Sequence, residues 1–358
     1  MDKVMVAMSG GVDSSVAAYL LQKSGDDCTG VTMRLCDNAL LGEQESSCCS
    51  LDDVEDARSV AFRLGMHYYV FNHIDQFRKK VVDAFVCCYE EGGTPNPCIN
   101  CNRYLKFDVL LHKALTLGYD YIATGHYAKI RQDENTGRYL LYKADDSSKD
   151  QSYFLAFLTQ EQLAHTKFPL GGLSKTEVRQ IAAEQGFINA RKRDSQDICF
   201  IPDGDYVAFM KRYTGKDYPG GDYLNMDGKV IGKHCGAVCY TIGQRKGLGI
   251  ALGAPAYVCS KDMEKNTVTL GTNDDLFRSK LRANDWNWIP FPALTKPTRV
   301  TAKVRYRHTP QPATVYPEED GFARVEFDKP QRAITAGQAV VLYDGDLVIG
   351  GGTITEVL

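Results

Sequence analysis

Two cysteines lie close together in a stretch that could support sulfur or metal chemistry. Cys98 and Cys101 are separated by two residues in TPNPCINCN (94–102), where two prolines stiffen the chain. A helical pattern begins near Tyr104, and the amino terminus of a helix lowers the pKa of a nearby thiol and favours the thiolate, the nucleophilic and metal-binding form. The neighbouring Arg103 acts in the same direction. We therefore predict a reactive cysteine pair on a rigid loop.

A third thiol and several other cysteines must be distinguished from this pair. Cys199 occurs in SQDICFIP (195–202). An isolated C-x-x-C motif can be a pair of buried cysteines without function, and the absence of a second C-x-x-C argues against a four-cysteine zinc site. The adjacent pairs Cys48–Cys49 and Cys87–Cys88 have spacing that suits one tetrahedral site poorly, and Cys235 and Cys239 are expected to be core residues.

A glycine-rich turn near the amino terminus could bind phosphate. AMSGGVDSS (7–15) follows the first predicted strand and opens the first predicted helix. Gly10 and Gly11 allow backbone N–H groups to approach an anion, while Ser9, Ser14 and the helix amino terminus add donors and partial positive charge. No G-x-x-x-x-G-K-[ST] motif occurs, so this is not a loop that holds a transferred γ-phosphate. Composition alone also allows an ordinary strand–helix turn.

The bulk composition is that of a globular protein with two or three domains. The chain has 358 residues, a hydrophobic content of 44% and a formal net charge of −3. This charge predicts no general attraction to nucleic acid, so any basic surface must be local. No apolar run approaches the roughly 18 residues of a membrane span, and the first residues do not resemble a targeting signal. Twelve cysteines in a chain of this size suggest the reducing cytoplasm rather than a secreted disulfide scaffold.

Hydrophobic patterns predict an α/β amino-terminal domain with a doubly wound parallel sheet, followed by two β-rich domains. Beyond Gly204 the long helical patterns vanish and short β-type runs dominate, with turns at NDD, EEDG and YDGD. We predict a catalytic domain at 1–204, a small, mostly β domain at 205–275, and a carboxy-terminal β-barrel at 276–358. The predicted strands are 3–8, 28–35, 67–73 and 119–127, and the predicted helices are 13–23, 51–65, 76–89 and 104–118.

Several motifs, in order along the whole chain, carry a family resemblance. S-G-G-x-D-S in the first strand–helix turn resembles the loop of the N-type ATP pyrophosphatases, which split ATP into AMP and pyrophosphate. With that loop, the chain is similar to the bacterial tRNA-specific 2-thiouridylases, which replace the C2 oxygen of the wobble uridine by sulfur in tRNAs for Lys, Glu and Gln. The further motifs are TPNPCINCNRYLKF, TGHYAKI, KDQSYFL, SQDICFIP, YTIGQRKGLGI and KVRYRHTPQP.

The resemblance implies site residues, position by position. It implies ATP with Mg²⁺, tRNA as the partner, and catalysis by Cys101 with Cys199 as the persulfide carrier. The residues implied to touch the target base are Asn96, Pro97 and Cys98. The residues implied to bind ATP are Ala7, Met8, Ser9, Gly10, Gly11, Val12, Asp13, Ser14, Met33 and Gly125. The residues implied to contact tRNA are His126, Lys149, Asp150, Gln151, Tyr306, Arg307 and Gln338.

Binding of tRNA also predicts basic surfaces. If 299–307 is one strand, its odd-numbered basic residues share a face, although a row of charges is commonly just a solvated face. Arg245 and Lys246 occupy a glycine-rich loop suited to backbone phosphates. The flipped uridine is expected between the 94–102 loop and Cys199. The proposed basic row consists of Arg299, Lys303, Arg305 and Arg307.

One departure from the family leaves two mechanisms open. Many relatives carry aspartate where this chain has Cys98. In the first mechanism, a persulfide on Cys199 attacks the adenylated C2, and Cys101 resolves it, leaving a Cys101–Cys199 disulfide. A cysteine desulfurase or a sulfur-relay protein must then recharge Cys199. In the second, the three thiols ligate a [4Fe–4S] cluster whose fourth iron holds sulfide.

Two other functions would share some of these motifs. A ligase of the pyrophosphatase fold would adenylate its substrate for attack by an amine, but it would have no use for three thiols. A tRNA-binding iron–sulfur protein without catalysis would release neither AMP nor pyrophosphate.

Overall fold

The amino-terminal part of the chain contains a five-stranded parallel sheet. The computed structural model describes residues 1–37, 51–192 and 198–358. The strands of this part are β1 Lys3–Ala7, β2 Asp27–Arg34, β3 His67–Asn72, β4 Tyr121–Ala123, β5 Ala128–Gln132, β6 Tyr139–Lys143 and β7 Thr166–Lys167. The sheet has the order β3-β2-β1-β4-β7, and its neighbours pair in parallel.

Helices cover both faces of this sheet. They are α1 Val12–Lys23, α2 Leu51–Arg63, α3 at 74–90, α4 at 97–116, α5 Ser152–Leu155, α6 Gln160–Ala164 and α7 Lys175–Glu184. Val4 and Val6 pack into an apolar cluster with α1, α2 and α7, whereas Met5 packs into a second cluster with α3 and α4. Since side chains alternate across a strand, this division confirms the predicted doubly wound α/β domain. None of the described helices is long and apolar enough to cross a bilayer.

Helix α4 begins earlier than the sequence pattern predicts. Its first turn is Pro97–Asn100, followed by a wider π-helical stretch, Cys101–Val109, and an α-helical end, Leu110–Thr116. Proline suits the first helical position because its fixed φ is helical and its missing N–H has no partner there anyway. The predicted start near Tyr104 is therefore wrong, and the cysteine pair lies within the first helical turns rather than on a preceding loop.

Strand β4 is shorter than predicted. It ends at Ala123, and the chain then leaves the sheet toward α1, where an added Cβ at Gly125 would lie 2.6 Å from the Ser14 nitrogen. The hairpin β5-β6 follows, and β6 joins the carboxy-terminal sheet through the pair Tyr142–Leu347. Sequence patterns did not predict this hairpin, which joins the amino-terminal domain to the carboxy-terminal sheet.

The central domain is a small sheet preceded by a helix. Helix α8, Tyr206–Thr214, contradicts the expectation that helices end near Gly204. The strands are β8 Gly221–Leu224, β9 Val230–His234, β10 Tyr257–Asp262 and β11 Thr267–Gly271, in the order β10-β11-β8-β9. Cys235 is exposed, so its predicted core position is wrong, because the chain leaves β9 at His234. Cys239 is half-buried and packs against two of the apolar clusters.

The carboxy-terminal domain is a closed barrel of six antiparallel strands, as predicted. The strands are β12 Phe277–Trp288, β13 Thr298–Lys303, β14 Gln311–Pro317, β15 Ala323–Arg332, β16 Ala339–Asp344 and β17 Leu347–Val357. Their order is β12-β15-β14-β13-β16-β17, and pairing of β12 with β17 closes the barrel. Inward-facing side chains such as Leu281, Val325 and Val340 are wholly buried, so the interior is a packed core.

The predicted row of basic residues on this barrel does not form. Strand β13 ends at Lys303, so Arg305 and Arg307 lie in the turn that follows. Arg299 pairs with Asp328. Lys303 is buried, with its ammonium group over the rings of Tyr153 and Tyr306. Of the four residues, only Arg307 is an exposed side chain beyond the strand.

Candidate active site

The glycine-rich turn lies at the carboxyl edge of the parallel sheet, where ligands bind in folds of this class. Strand order reverses between β1 and β4, and the turn follows β1 there. Gly10 has φ +75°, and an added Cβ would lie 2.4 Å from the Asp53 oxygen. The Ser9 N–H donates to Ser14 Oγ at 3.2 Å, and Ser14 Oγ donates to the Gly11 oxygen at 3.0 Å. The backbone of the phosphate turn is thus held by its own hydrogen bonds and by close packing against Asp53.

The remaining residues implied for ATP lie along the same edge. Ala7 ends β1, and Met8, Val12 and Ser14 are buried. Met33 lies near the carboxyl end of β2 and is buried, while Gly125 packs against the turn. The structure therefore brings together residues from three strand ends around one helix amino terminus.

Three residues far along the chain hold this turn, and none of them is among the predicted site residues. Lys175 donates to both carboxylate oxygens of Asp13 at 2.8 Å, and the Tyr127 hydroxyl donates to one of them at 2.7 Å. Asn189 Nδ2 donates to the Gly10 oxygen and to Ser15 Oγ, each at 2.9 Å. No local motif marks Lys175 or Asn189, because their role depends on contacts across the fold.

Cys98, Cys101 and Cys199 lie around one part of the core. Cys101 is buried in the apolar cluster of α3 and α4, and Cys199 packs against that cluster. Desolvation raises the pKa of Cys98, and the nearby Cys199 thiol raises it further, so these two thiols lie within electrostatic range. Residues 195–197 of the SQDICFIP motif and the pair Cys48–Cys49 fall outside the described residues.

The thiol of Cys98 differs from the prediction. Cys98 retains exposed surface, but many protein atoms surround the thiol, and this desolvation raises its pKa to about 11. The helix amino terminus therefore does not lower it as predicted, and Cys98 is a neutral thiol at neutral pH. Arg103 does not compensate, because its guanidinium pairs with Asp285 of the barrel and lies over the rings of Tyr104 and Phe157.

The segment before the cysteines is attached to the barrel. Asn96 precedes the helix and its oxygen accepts the Ile99 N–H at 3.2 Å, while Pro97 is buried. Gln338 Nε2 donates to the Thr94 oxygen at 2.9 Å and to the Pro95 oxygen at 3.4 Å. The carboxy-terminal domain thus holds the segment directly before the residues implied to touch the target base.

Comparison with known proteins assigns the family. The chain matches the tRNA methyl transferase HUP domain over residues 2–203, the tRNA methyl transferase PRC-barrel domain over 207–272, and the aminomethyltransferase β-barrel domain over 278–354. It is 52% identical to the tRNA-specific 2-thiouridylase MnmA of Clostridium acetobutylicum over 353 residues, which are 98% of this chain and 99% of the relative. The chain belongs to the tRNA-specific 2-thiouridylase family.

Other full-length relatives agree with this assignment. MnmA of Clostridioides difficile is 51% identical over 99% of both chains, and MnmA of Moorella thermoacetica is 53% identical over 99% of both. The domain descriptions refer to methyl transfer, whereas these relatives are named for 2-thiolation. The resemblance stated from the motifs is confirmed.

Of the residues that the 2-thiouridylase family implies for tRNA, three lie just beyond β6. Asp150 is buried, and its carboxylate accepts the N–H groups of Ala144 and Ser152 at 3.2 and 3.1 Å. Gln151 Oε1 accepts the Tyr127 N–H at 2.9 Å. Lys149 is half-buried beside them. Asp150 and Gln151 thus also support local structure, and their contact with tRNA stays a prediction.

His126 lies beside the phosphate turn and packs against helix α4. Its Nδ1 is 2.7 Å from Thr124 Oγ1, and its ring lies near those of Phe107 and Phe168. Burial lowers the pKa of His126 well below its usual value, and the positive charge of Lys106 lowers it further. Lys106 also opposes the rise in the pKa of Cys98, so this ammonium group lies within electrostatic range of both residues.

Tyr306 and Arg307 lie in the turn after β13, where the Tyr306 ring packs against helix α5. The Tyr306 ring lies 4.3 Å from that of Phe154, centroid to centroid, and accepts a cation–π contact from Lys303. Arg307 is exposed. Arg245 and Lys246 are exposed in the glycine-rich loop of the central domain. The exposed cationic groups of Arg245, Lys246 and Arg307 can therefore reach phosphate groups of a bound tRNA.

The three thiols do not form a preassembled cluster site. Cys98 is exposed, Cys199 is half-buried and Cys101 is buried, so they differ in their access to a common ligand. Within residues 1–37, 51–192 and 198–358, no group of three His, Cys, Asp or Glu side chains is arranged to hold a metal ion. The arrangement gives the [4Fe–4S] hypothesis no support.

Proposed function

We propose that this chain catalyses ATP-dependent 2-thiolation of the wobble uridine in tRNAs for Lys, Glu and Gln, cleaving ATP to AMP and pyrophosphate. The observation that carries the proposal is that His126, next to Gly125 at the phosphate turn, packs against Phe107 of the cysteine-bearing helix α4. Gly125 packs against Ser14, His126 follows it, and Lys106 acts on both His126 and Cys98. Full-length relatives named as 2-thiouridylases support the substrate.

The phosphate turn would bind ATP, which enters as its Mg²⁺ complex. Backbone N–H groups of Gly10 and Gly11 and the amino terminus of α1 attract the phosphates. The C2 oxygen of the uridine attacks the α-phosphorus, pyrophosphate leaves, and an adenylated uridine forms. This step is needed because the oxygen of a urea-like carbonyl is a poor leaving group, whereas AMP is a good one.

Sulfur transfer would then use the two core-associated thiols. The terminal sulfur of a Cys199 persulfide attacks C2, and AMP leaves with the original oxygen. The Cys101 thiolate next attacks the Sγ of Cys199, so the S–S bond to the transferred sulfur breaks and 2-thiouridine is released. A Cys101–Cys199 disulfide remains, which a cellular thiol reductant must reduce. The protons of the persulfide and of Cys101 pass to solvent.

Cys98 would contribute shape and a neutral hydrogen-bond donor rather than a base. Its raised pKa keeps the thiol protonated at neutral pH, so it cannot replace the carboxylate of aspartate-containing relatives. We propose that Asn96, Pro97 and Cys98 contact the flipped base, and that Lys149, Tyr306 and Arg307 contact the anticodon arm. A cytoplasmic cysteine desulfurase or sulfur-relay protein would supply the sulfur.

We further propose that the chain divides into domains at 1–204, 205–275 and 276–358.

Mass spectrometry of anticodon nucleosides tests the proposal. Incubation with ATP, tRNA, a thiol reductant and a persulfide-generating desulfurase should yield 2-thiouridine. Cys101→Ser and Cys199→Ser should abolish it while AMP and pyrophosphate still form, and Cys235→Ser, at an exposed thiol of the central domain, should leave it unchanged. Thiolation retained in both active-site variants would overturn the sulfur-transfer scheme, whereas AMP formation by the wild-type chain without any 2-thiouridine would favour a ligase. If the anaerobically purified protein contains iron and needs it for thiolation, the cluster mechanism holds and the persulfide mechanism does not.

A further inference from the structure

A loop of the carboxy-terminal barrel holds the segment that leads into the cysteine helix. The Thr94 N–H donates to the Ala336 oxygen at 2.9 Å. In return, the side-chain amide of Gln338 donates to the oxygens of Thr94 and Pro95 at 2.9 and 3.4 Å. Gln338 and Thr94 are separated by 244 positions in the sequence. These contacts end only three residues before Cys98.

The barrel loop is itself firmly held. The Gly337 N–H donates to the Ile354 oxygen of β17, and the Ile354 N–H donates to the Gln338 oxygen, both at 2.9 Å. The Tyr153 hydroxyl donates to the Ala339 oxygen at 2.9 Å from α5. Because backbone contacts fix both sides of Gln338, its side chain extends from a stable frame rather than from a mobile loop.

Close packing leaves little freedom between the two segments. Gly337 has φ +85°, and an added Cβ would lie 2.5 Å from Cys88 Sγ and 3.0 Å from the Thr94 nitrogen. On the other side, an added Cβ at Gly93 would lie 2.7 Å from Cys88 Sγ. The 92–95 segment is therefore enclosed by the end of α3 and by the barrel loop.

We propose that Gln338 is a positioning residue that sets the 94–97 segment, and with it the first turn of α4, against the carboxy-terminal barrel. A carboxamide NH₂ has two donor hydrogens, and both are directed at backbone oxygens of Thr94 and Pro95. Gln338 thus acts on the target-base segment through the backbone, a role distinct from the tRNA contact that the family resemblance implies. The expected effect on the rate of thiolation rests on the proposed function, whereas the expected effect on the reactivity of Cys98 does not.

The test measures the reactivity of Cys98 in the absence of tRNA and ATP. Alkylation by N-ethylmaleimide is followed at Cys98 by peptide mass spectrometry in the full-length chain, for Gln338→Ala and Gln338→Glu. Loss of these two neutral hydrogen bonds should loosen the segment and raise the alkylation rate roughly threefold to tenfold. The glutamate variant should behave similarly, because its carboxylate has no hydrogen to donate to a carbonyl oxygen. Gln311→Ala is the matched control, since Gln311 bonds to Thr309 within the barrel.

Catalytic and binding measurements complete the test. We expect the single-turnover rate of thiolation to fall about tenfold in Gln338→Ala, while the Kd for tRNA changes less than about twofold. An unchanged or lowered rate of Cys98 alkylation overturns the inference, as does a large loss of tRNA affinity with normal Cys98 reactivity, which would make Gln338 a direct tRNA contact. Failure of the wild-type chain to thiolate tRNA would contradict the proposed function and leave the alkylation result still decisive for the role of Gln338.

Discussion

Lys175 Nζ lies 2.8 Å from both carboxylate oxygens of Asp13, across 162 residues of sequence. The side chain of Lys175 has only 11% of its surface exposed, so water screens this pair less than a surface ion pair. The phosphate turn contains no lysine of its own, and folding brings one to it from the start of α7.

Replacing Lys175 should weaken ATP binding. Lys175→Gln leaves the Asp13 carboxylate uncompensated beside the bound polyphosphate, so we expect the Kd for ATP to rise about tenfold, or about 1.4 kcal/mol, measured by calorimetry. Lys167→Gln is the control, because Lys167 also pairs with two carboxylates, Asp2 and Asp26, but at another place in the fold. An equal loss of ATP affinity in both variants would contradict a specific role for Lys175.

Removing the side chain of Asn189 should destabilise the phosphate turn. Asn189→Ala leaves the buried Gly10 oxygen without its donor, and such a loss costs about 1–3 kcal/mol. The free energy of unfolding in urea should fall by this amount. Asn135→Ala, in an exposed turn where Asn135 hydrogen-bonds to Asp133, should change it little. Equal effects in the two variants would show that Asn189 gives no special support.

The reactivity of Cys98 should continue to rise at alkaline pH. With a thiol pKa of about 11, the thiolate fraction grows about tenfold for each pH unit between pH 7 and 9, because only the thiolate is nucleophilic. Alkylation by iodoacetamide, followed at Cys98 by mass spectrometry, should therefore show no plateau in this range. A plateau near pH 8 would mean that the helix amino terminus dominates after all.

His126 should contribute a loss of stability in acid. Its folded-state pKa lies below the value of about 6.5 in unfolded chains, so below that pH the unfolded state binds the proton first. The free energy of unfolding should then decrease as pH falls from about 6.5 toward the lowered pKa. Between pH 7.5 and 5.5, wild type should lose more stability than His126→Asn. Parallel pH profiles would contradict the burial of a neutral imidazole.

Arg307 should act on tRNA alone. Arg307→Ala removes an exposed cation near Tyr306, so tRNA affinity should fall severalfold and the salt dependence of binding should become shallower by about one counterion. ATP affinity should not change. Arg299→Ala is the control, because Asp328 already engages that guanidinium. A parallel loss of tRNA and ATP affinity by Arg307→Ala would indicate misfolding instead of a lost phosphate contact.

The sequence by itself determined the parts that depend on local chemistry. Strand and helix patterns that alternate along the chain predicted the parallel sheet, and short β-type runs separated by turns predicted the barrel. S-G-G-x-D-S predicted the phosphate turn because glycine conformation and a helix terminus act within a few residues. Motif order along the chain was sufficient to indicate the family.

Only the tertiary structure decided the parts that depend on distant neighbours. The attachment of Asp13 to Lys175, of Arg103 to Asp285 and of Gln338 to the 94–95 segment joins residues that no local pattern relates. The pKa of Cys98 was mispredicted for the same reason. A helix terminus is visible in sequence, whereas desolvation depends on every atom that the folded chain places around the sulfur.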